Sequence, residues 1–126
     1  MHIIINNSSM VPIYEQIIDQ IKSAIIRGEL QPDTVLPSVR SLSKELKISA
    51  LTVKKAYDNL EEEGLVVTVH GKGSFIAAAN QELLMEERRK ELEKELEAAV
   101  QKARTGGLTA KEIRESFEII MEDEVC

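Results

Sequence analysis

The stretch SVRSLSKELKISALTVKKAYDNL, residues 38–60, decides the fold of this chain. Ser38 is a helix-capping residue, and the apolar residues after it recur at helical spacing as far as Leu46. Ser49 caps a second helix in the same way, and its buried face extends to Leu60. The residues expected to face inward are Val39, Leu42, Leu46, Val53, Ala56, Tyr57 and Leu60. Two short helices joined by so tight a break have the spacing of a helix-turn-helix, in which the first helix braces the second against DNA.

A further helix and a hairpin flank this pair. Upstream, an apolar stripe from Tyr14 to Ile25 predicts an amphipathic helix. Downstream, strands are predicted over residues 65–69 and 74–78, and the glycines of residues 71–73 supply the turn between them. Three helices followed by a two-stranded hairpin describe a winged helix.

The composition changes in the last third of the chain. Residues Gln81 to Arg104 are rich in Glu, Lys, Arg, Leu and Ala, which predicts one long helix. Thr109 and Glu112 have the spacing of a capping box at the start of a last helix. A helical hairpin on a small domain cannot cover both of its apolar stripes, so we expect self-association. The predicted dimerisation residues are Met85, Leu92, Leu96, Ala99, Ala103, Ile113, Phe117 and Ile120.

The predicted fold class is α+β and mainly helical. A winged helix-turn-helix DNA-binding domain is expected over residues 1–78, and a two-helix dimerisation tail over residues 79–126. The first part carries 8 basic and 9 acidic side chains and the second 8 and 13, so most of the net charge of -6 lies in the tail. Residues 38–57 hold five basic side chains against one acidic. Contact with nucleic acid is therefore expected to be local, at this basic segment.

Several classes of protein are excluded by the composition. A chain of 126 residues allows one domain, or one small domain with an appendage. The single cysteine, Cys126, cannot close an intrachain disulfide, and no signal peptide or membrane span is evident, so we expect a cytoplasmic protein with no membrane partner. His2 and His70 have no cysteine partners, so neither a metal site nor a cofactor is expected. No arrangement of residues predicts an enzyme.

Six short motifs occur in an order that resembles a known family. They are Pro12-Ile13-Tyr14-Glu15-Gln16-Ile17, Gly28-Glu29-Leu30, Leu36-Pro37-Ser38-Val39-Arg40, Thr52-Val53, Leu60-Glu61-Glu62-Glu63-Gly64-Leu65 and Gly71-Lys72-Gly73-Ser74-Phe75. In these motifs the chain is similar to the N-terminal DNA-binding domain of the GntR family of bacterial transcription regulators. The short helical tail resembles the YtrA-like subfamily. This resemblance implies a homodimeric repressor, frequently of genes near transporters.

The resemblance implies DNA contacts at Arg40, Thr52, Lys54, His70 and Gly71. Arg40 and Lys54 can neutralise phosphates or donate to guanine, and the Ser49 and Thr52 hydroxyls lie at a helix N-terminus, which favours phosphate. At the hairpin tip, glycines allow close approach to the minor groove while a histidine and a lysine supply donors. The predicted DNA-binding residues are Arg40, Ser49, Ala50, Leu51, Thr52, Lys54, Lys55, His70, Gly71, Lys72 and Gly73.

One position departs from the family pattern. Many members place Arg at the start of the recognition helix, where this chain has Ala50 followed by Leu51. The pair can meet thymine methyl groups in the major groove. The alternative is that Leu51 packs inward against the helix that bears Leu42.

Simpler roles also fit several of the basic residues. Lys44, Lys47 and Lys55 are equally typical of a solvated helical face, and His70 of a plain turn residue. For the whole chain, a winged-helix protein-interaction module is the alternative to a regulator that binds double-stranded DNA. Only the regulator predicts steeply salt-dependent binding to a duplex. A small-molecule effector is a further candidate partner, and so short a tail leaves room for its pocket only at the dimer interface or between the domains.

Overall fold

The computed structural model describes residues 1–78 and 81–123. Its elements are α1 (Ile13–Ile26), α2 (Val39–Leu46), α3 (Ala50–Glu62), β1 (Val66–Val69), β2 (Gly73–Ile76), α4 (Gln81–Thr105) and α5 (Ala110–Asp123). The mainly helical α+β class with a winged helix-turn-helix is confirmed. Cys126 lies outside the described residues.

The chain forms two compact units, which divide between Met85 and Glu86. This division falls inside α4, after the boundary at residue 78 that the sequence suggests. The reason is Leu84, whose side chain is only 4% exposed and belongs to the core of the first unit. The start of α4 therefore completes the winged-helix core.

Helix α3 is the centre of the first unit. Both α1 and α2 pack against it, and so does β1. The apolar stripes predicted for α1, α2 and α3 supply most of this core. The largest side chains that are almost completely buried are Ile17, Ile21, Leu42, Leu60, Ile76, Val53 and Val66.

The turn between α2 and α3 has the geometry that the serine caps predict. The Ser38 hydroxyl accepts a hydrogen bond from the Ser41 amide at 3.0 Å, and the Ser49 hydroxyl accepts one from the Leu51 amide at 3.1 Å. Between them Lys47 has a left-handed backbone with φ 57°. That conformation is uncommon for a residue with a Cβ, and it turns the chain sharply enough for α3 to start at Ala50.

A segment ahead of α1 adds to the core without forming regular structure. Ile3 is buried. The side-chain amide of Gln20 accepts from the Ile4 amide at 2.9 Å and donates to the Ile4 carbonyl at 2.7 Å. Gln16, one helical turn earlier, makes the same two bonds to the backbone of Asn6, at 2.9 and 3.1 Å. Two glutamines thus hold the N-terminal segment along α1.

The wing is a two-stranded antiparallel sheet, and a segment outside the two strands also pairs with β2. Val66 pairs with Ile76 and Val69 with Gly73, so the strands begin and end close to the predicted limits. Residues 33–36, in the segment between Pro32 and Pro37, run beside β2. The Leu36 amide donates to the Ser74 carbonyl at 2.8 Å, and the Ile76 amide donates to the Thr34 carbonyl at 2.9 Å.

The second unit contains most of α4 and all of α5. The Thr109 hydroxyl accepts from the Glu112 amide at 3.2 Å and the Glu112 carboxylate accepts from the Thr109 amide at 3.0 Å, as a capping box requires. The Thr109 amide, together with the Thr109 hydroxyl, which also donates to the carboxylate at 3.0 Å, holds the pKa of Glu112 below its usual range. Within Ala110–Asp123 no side chain is buried, and α4 and α5 do not pack lengthwise on each other. Their apolar stripes stay uncovered in the single chain.

Candidate DNA interface

The N-terminal end of α3 projects into solvent. Ala50 is exposed, and Leu51 is 78% exposed. On the opposite face Val53 and Leu60 are completely buried, so this rotation of the helix is fixed by the core. The alternative that Leu51 packs inward against α2 is therefore wrong. A large apolar side chain held out at the tip of a recognition helix is suited to contact with another molecule.

Tyr57 sets where α3 lies relative to the chain before α2. Its side chain is 5% exposed, and its hydroxyl donates to the Pro37 carbonyl at 2.8 Å. Burial raises the pKa of Tyr57, and the charge of Glu45 adds to the effect, so the hydroxyl stays protonated and keeps donating. The sequence predicted that Tyr57 is buried but indicated no partner for its hydroxyl.

Two of the predicted contact residues, Arg40 and Thr52, lie in the first turns of different helices. Arg40 is exposed in the first turn of α2, and its backbone carbonyl accepts from the buried Ser43 hydroxyl at 2.9 Å. Thr52 is half-buried in the first turn of α3, where its amide donates to the Ser49 carbonyl at 3.1 Å. The exposed Ser49 hydroxyl accepts in the cap, so its O–H group can still donate to a phosphate.

Lys54 and Lys55 are adjacent but have different partners. The Lys54 ammonium lies 2.8 Å from the Asp58 carboxylate, one helical turn away, and that hydrogen bond with its charge raises the pKa of Lys54. The Lys55 ammonium lies 3.9 Å from the centre of the Tyr14 ring on α1. Lys55 is exposed, as a solvated face predicts, yet it also braces α1 against α3 through a cation–π contact. Neither partner was predicted from the sequence.

The wing tip is exposed throughout His70, Gly71, Lys72 and Gly73. The turn closes through a hydrogen bond of 2.9 Å from the Lys72 amide to the Val69 carbonyl. Gly71 has φ 80° and Gly73 φ 116°, in the region that L side chains rarely adopt. A Cβ at Gly71 would meet no atom within 4 Å, so within this chain backbone conformation alone requires glycine there.

The predicted dimerisation residues are exposed to different degrees. Leu92 is 54% exposed, Leu96 40%, Phe117 48% and Ile120 60%. Met85 and Ala99 are also exposed, whereas Ala103 and Ile113, which flank the turn between the helices, are half-buried. Lys44 and Lys47 are exposed on the first unit, and Lys47 forms the left-handed turn.

The described residues show no metal site and no membrane-spanning helix, but they do line a cavity. No group of His, Cys, Asp or Glu within 1–78 and 81–123 has the arrangement of a metal site. None of the described helices is long and apolar enough to span a membrane. A cavity of about 360 Å³ lies in the first unit beside the N-terminal segment, and its lining includes Ile3, Gln20, Arg27 and Glu29.

Comparison with known proteins gives relatives along most of the chain. The HTH-type transcriptional repressor YtrA of Bacillus subtilis (strain 168) is 34% identical over 119 residues, which cover 94% of this chain and 92% of YtrA. The HTH-type transcriptional repressor NagR of the same organism is 45% identical over 78 residues, or 62% of this chain. The chain spans about a third of NagR, since that match covers 32% of its length.

Solved structures of similar fold include one in complex with DNA. A transcriptional regulator from Oenococcus oeni superimposes with a TM-score of 0.77 at 28% identity, over 93% of this chain and 97% of that one. The DNA-binding domain of AraR in complex with operator ORX1 superimposes with a TM-score of 0.54 at 30% identity, over 61% of this chain and 96% of that one.

The family profile of the bacterial regulatory proteins of the gntR family matches residues 13–76, from the first residue of α1 to the last of β2. That span holds the whole helix-turn-helix and the wing, and the YtrA match continues through the tail. The chain belongs to the GntR family of bacterial regulatory proteins.

Proposed function

We propose that this DNA-binding regulator represses transcription as a homodimer that reads an inverted-repeat operator. The observation that carries the proposal is the outward end of α3, where the exposed Ala50 and Leu51 precede Lys54. Recognition helices contact base edges with their N-terminal residues, and this end of α3 is exposed. Two relatives, YtrA and NagR, are called repressors, which supports the direction of regulation.

The wing tip is proposed to contact the minor groove beside the same half-site. His70 and Lys72 supply donors, and the glycines on either side of Lys72 keep the tip narrow. Arg40, at the start of α2, is proposed to contact the backbone next to α3. The operator-bound AraR domain, which this chain resembles in fold, supports a DNA-binding role for this chain.

The tail, residues 79–126, is proposed to hold the dimer together. Leu92, Leu96 and Phe117 are large apolar side chains that one chain leaves about half exposed. Apolar surface of this kind on two consecutive helices is stabilised when a second copy covers it. Sedimentation of the full chain should give a dimer. Phe117→Glu should shift it toward monomer, because a carboxylate at that stripe would lose its hydration in the interface.

An operator search tests the proposal as a whole. DNA fragments that the protein retains from its own genome are sequenced and then footprinted. Two-fold symmetry predicts two half-sites about one helical turn apart, roughly 34–36 Å. A footprint over one asymmetric half-site at full affinity contradicts a dimer that reads an inverted repeat. Binding without salt dependence, or without preference for any fragment, favours a protein-interaction module instead.

A further inference from the structure

The outward face of α3 changes its charge along the helix. Leu51 is neutral in the first turn and Lys54 is positive in the next, whereas Asp58 and Glu61 in the following turns are negative, and all four are exposed. The Nζ atom of Lys54 and the Oδ2 atom of Asp58 are 2.8 Å apart, with side chains 60% and 57% exposed. The ammonium is therefore drawn toward the C-terminal half of the helix and away from the end that reads bases.

We propose that Asp58 is a positioning residue that attenuates DNA binding by holding Lys54 back from phosphate. The inference rests on the proposed function of α3. A carboxylate and a phosphate offer the same kind of acceptor, so a phosphate must compete with Asp58 for the Lys54 ammonium.

Phosphate is the partner that the geometry favours for Lys54 over a base edge. Lysine acts as a flexible point charge, and its stem can swing from Asp58 to the rim of the groove. Its neighbour Lys55 lies over the Tyr14 ring, where an aromatic face rather than a carboxylate holds the ammonium. A phosphate therefore competes with a carboxylate for Lys54 but with an aromatic ring for Lys55.

The size of the effect follows from the exposure of the ion pair. Exposed pairs in water are weak, so replacing Asp58 should tighten DNA binding by about two- to five-fold. Because one more cation then neutralises backbone charge, the salt dependence should steepen by up to about one unit. Both changes should be the same for operator and for unrelated DNA, since phosphates carry no sequence information.

The test uses the full chain and four variants, Asp58→Asn, Glu62→Gln, Lys54→Met and the double variant Lys54→Met with Asp58→Asn. Glu62→Gln is the matched control, because it removes the same charge from the same helix about two turns from Lys54. Binding is titrated against a genomic fragment selected by the protein and against a scrambled duplex, at several salt concentrations. Melting temperatures check that each variant is folded.

The expected result is tighter binding of both duplexes and a steeper salt slope for Asp58→Asn, and a clearly smaller change for Glu62→Gln. In the Lys54→Met background the Asp58→Asn effect should fall to that of the control. Equal effects of the two single variants, or an Asp58→Asn effect that persists without Lys54, would overturn the inference. A chain with no preference for any fragment contradicts the proposed function, whereas intact preference with unchanged Asp58→Asn affinity contradicts only this inference.

Discussion

The hydroxyl of Tyr57 and the backbone carbonyl of Pro37 are joined by a hydrogen bond of 2.8 Å that ties α3 to the chain just before α2. Tyr57→Phe keeps the ring and removes the donor. Since an unmade hydrogen bond at a buried site costs free energy, we expect the free energy of unfolding to fall by about 1–2 kcal/mol. Urea denaturation measures it. Tyr14→Phe is the control, because the Tyr14 hydroxyl bonds to the exposed Glu15; equal losses in both variants would contradict the assignment.

Alkaline pH should remove the stabilisation that the Tyr57 hydroxyl gives to the folded protein. Burial raises the pKa of Tyr57 in the folded protein, so unfolding lets the hydroxyl lose its proton more easily. Its stabilisation is therefore complete below the unfolded pKa, about 10, and is lost as the pH rises above it. We expect the stability gap between the native protein and Tyr57→Phe to narrow from about pH 9 to about pH 11. A gap that stays constant over this range would show that the hydroxyl does not titrate with unfolding.

Leu84 should behave as a core residue of the winged-helix unit although it lies on α4. Its side chain is 4% exposed, whereas that of Leu83, next in sequence, is 56% exposed. We expect Leu84→Ala to destabilise the first unit by about 2–4 kcal/mol through the cavity it leaves. Leu83→Ala should change little. Thermal unfolding compares the two, and similar losses would mean that α4 does not complete that core.

Leu51→Ser tests whether the tip of α3 reads a base. Because Leu51 is 78% exposed, the melting temperature should not fall. Loss of an apolar contact with a thymine methyl should lower discrimination at one base pair by on the order of 1 kcal/mol and leave the salt slope unchanged. Titration against the operator and single-base variants of it measures both. Unchanged relative affinities across those variants would refute base reading by Leu51.

Lys72→Ala tests a contact made through charge to the DNA backbone rather than to a base. Lys72 is an exposed charge at the wing tip, so its loss should weaken binding to all sequences alike. The salt slope should fall by roughly one unit, and sequence preference should survive. The control is Lys44→Ala, which removes one positive charge from α2 instead of from the wing tip. If Lys72→Ala altered the ranking of operator variants, Lys72 would be a base reader.

The helices that the sequence predicted best are those whose first residue is fixed by side chains close by in the sequence. Ser38 and Ser49 start their helices through bonds to amides two or three residues on, and Thr109 with Glu112 does the same for α5. What escaped prediction depends on distant residues. Residues 33–36 run beside β2 because they exchange backbone hydrogen bonds with it, although the flanking Pro32 and Pro37 are more typical of a loop.

In the candidate site, too, the sequence predicted what depends on local spacing and missed what depends on distant residues. Helical spacing placed Leu51 at the start of α3 but left two orientations open, and the burial of Val53 and Leu60 on the other face decides between them. The contact between Lys55 and Tyr14 joins two helices, so no local pattern indicates it. Whether the predicted residues meet DNA depends on a second molecule and stays a prediction.

The bonds that Gln16 and Gln20 make to the N-terminal segment have a consequence for release from DNA. Both side chains are uncharged amides that give the backbone at Ile4 and Asn6 a donor and an acceptor each, as a neighbouring strand would. Salt screens attraction between ions but has no net charge to screen in such bonds. A rise in ionic strength that weakens DNA binding should therefore leave this attachment in place, so the N-terminal segment should stay seated in the released molecule.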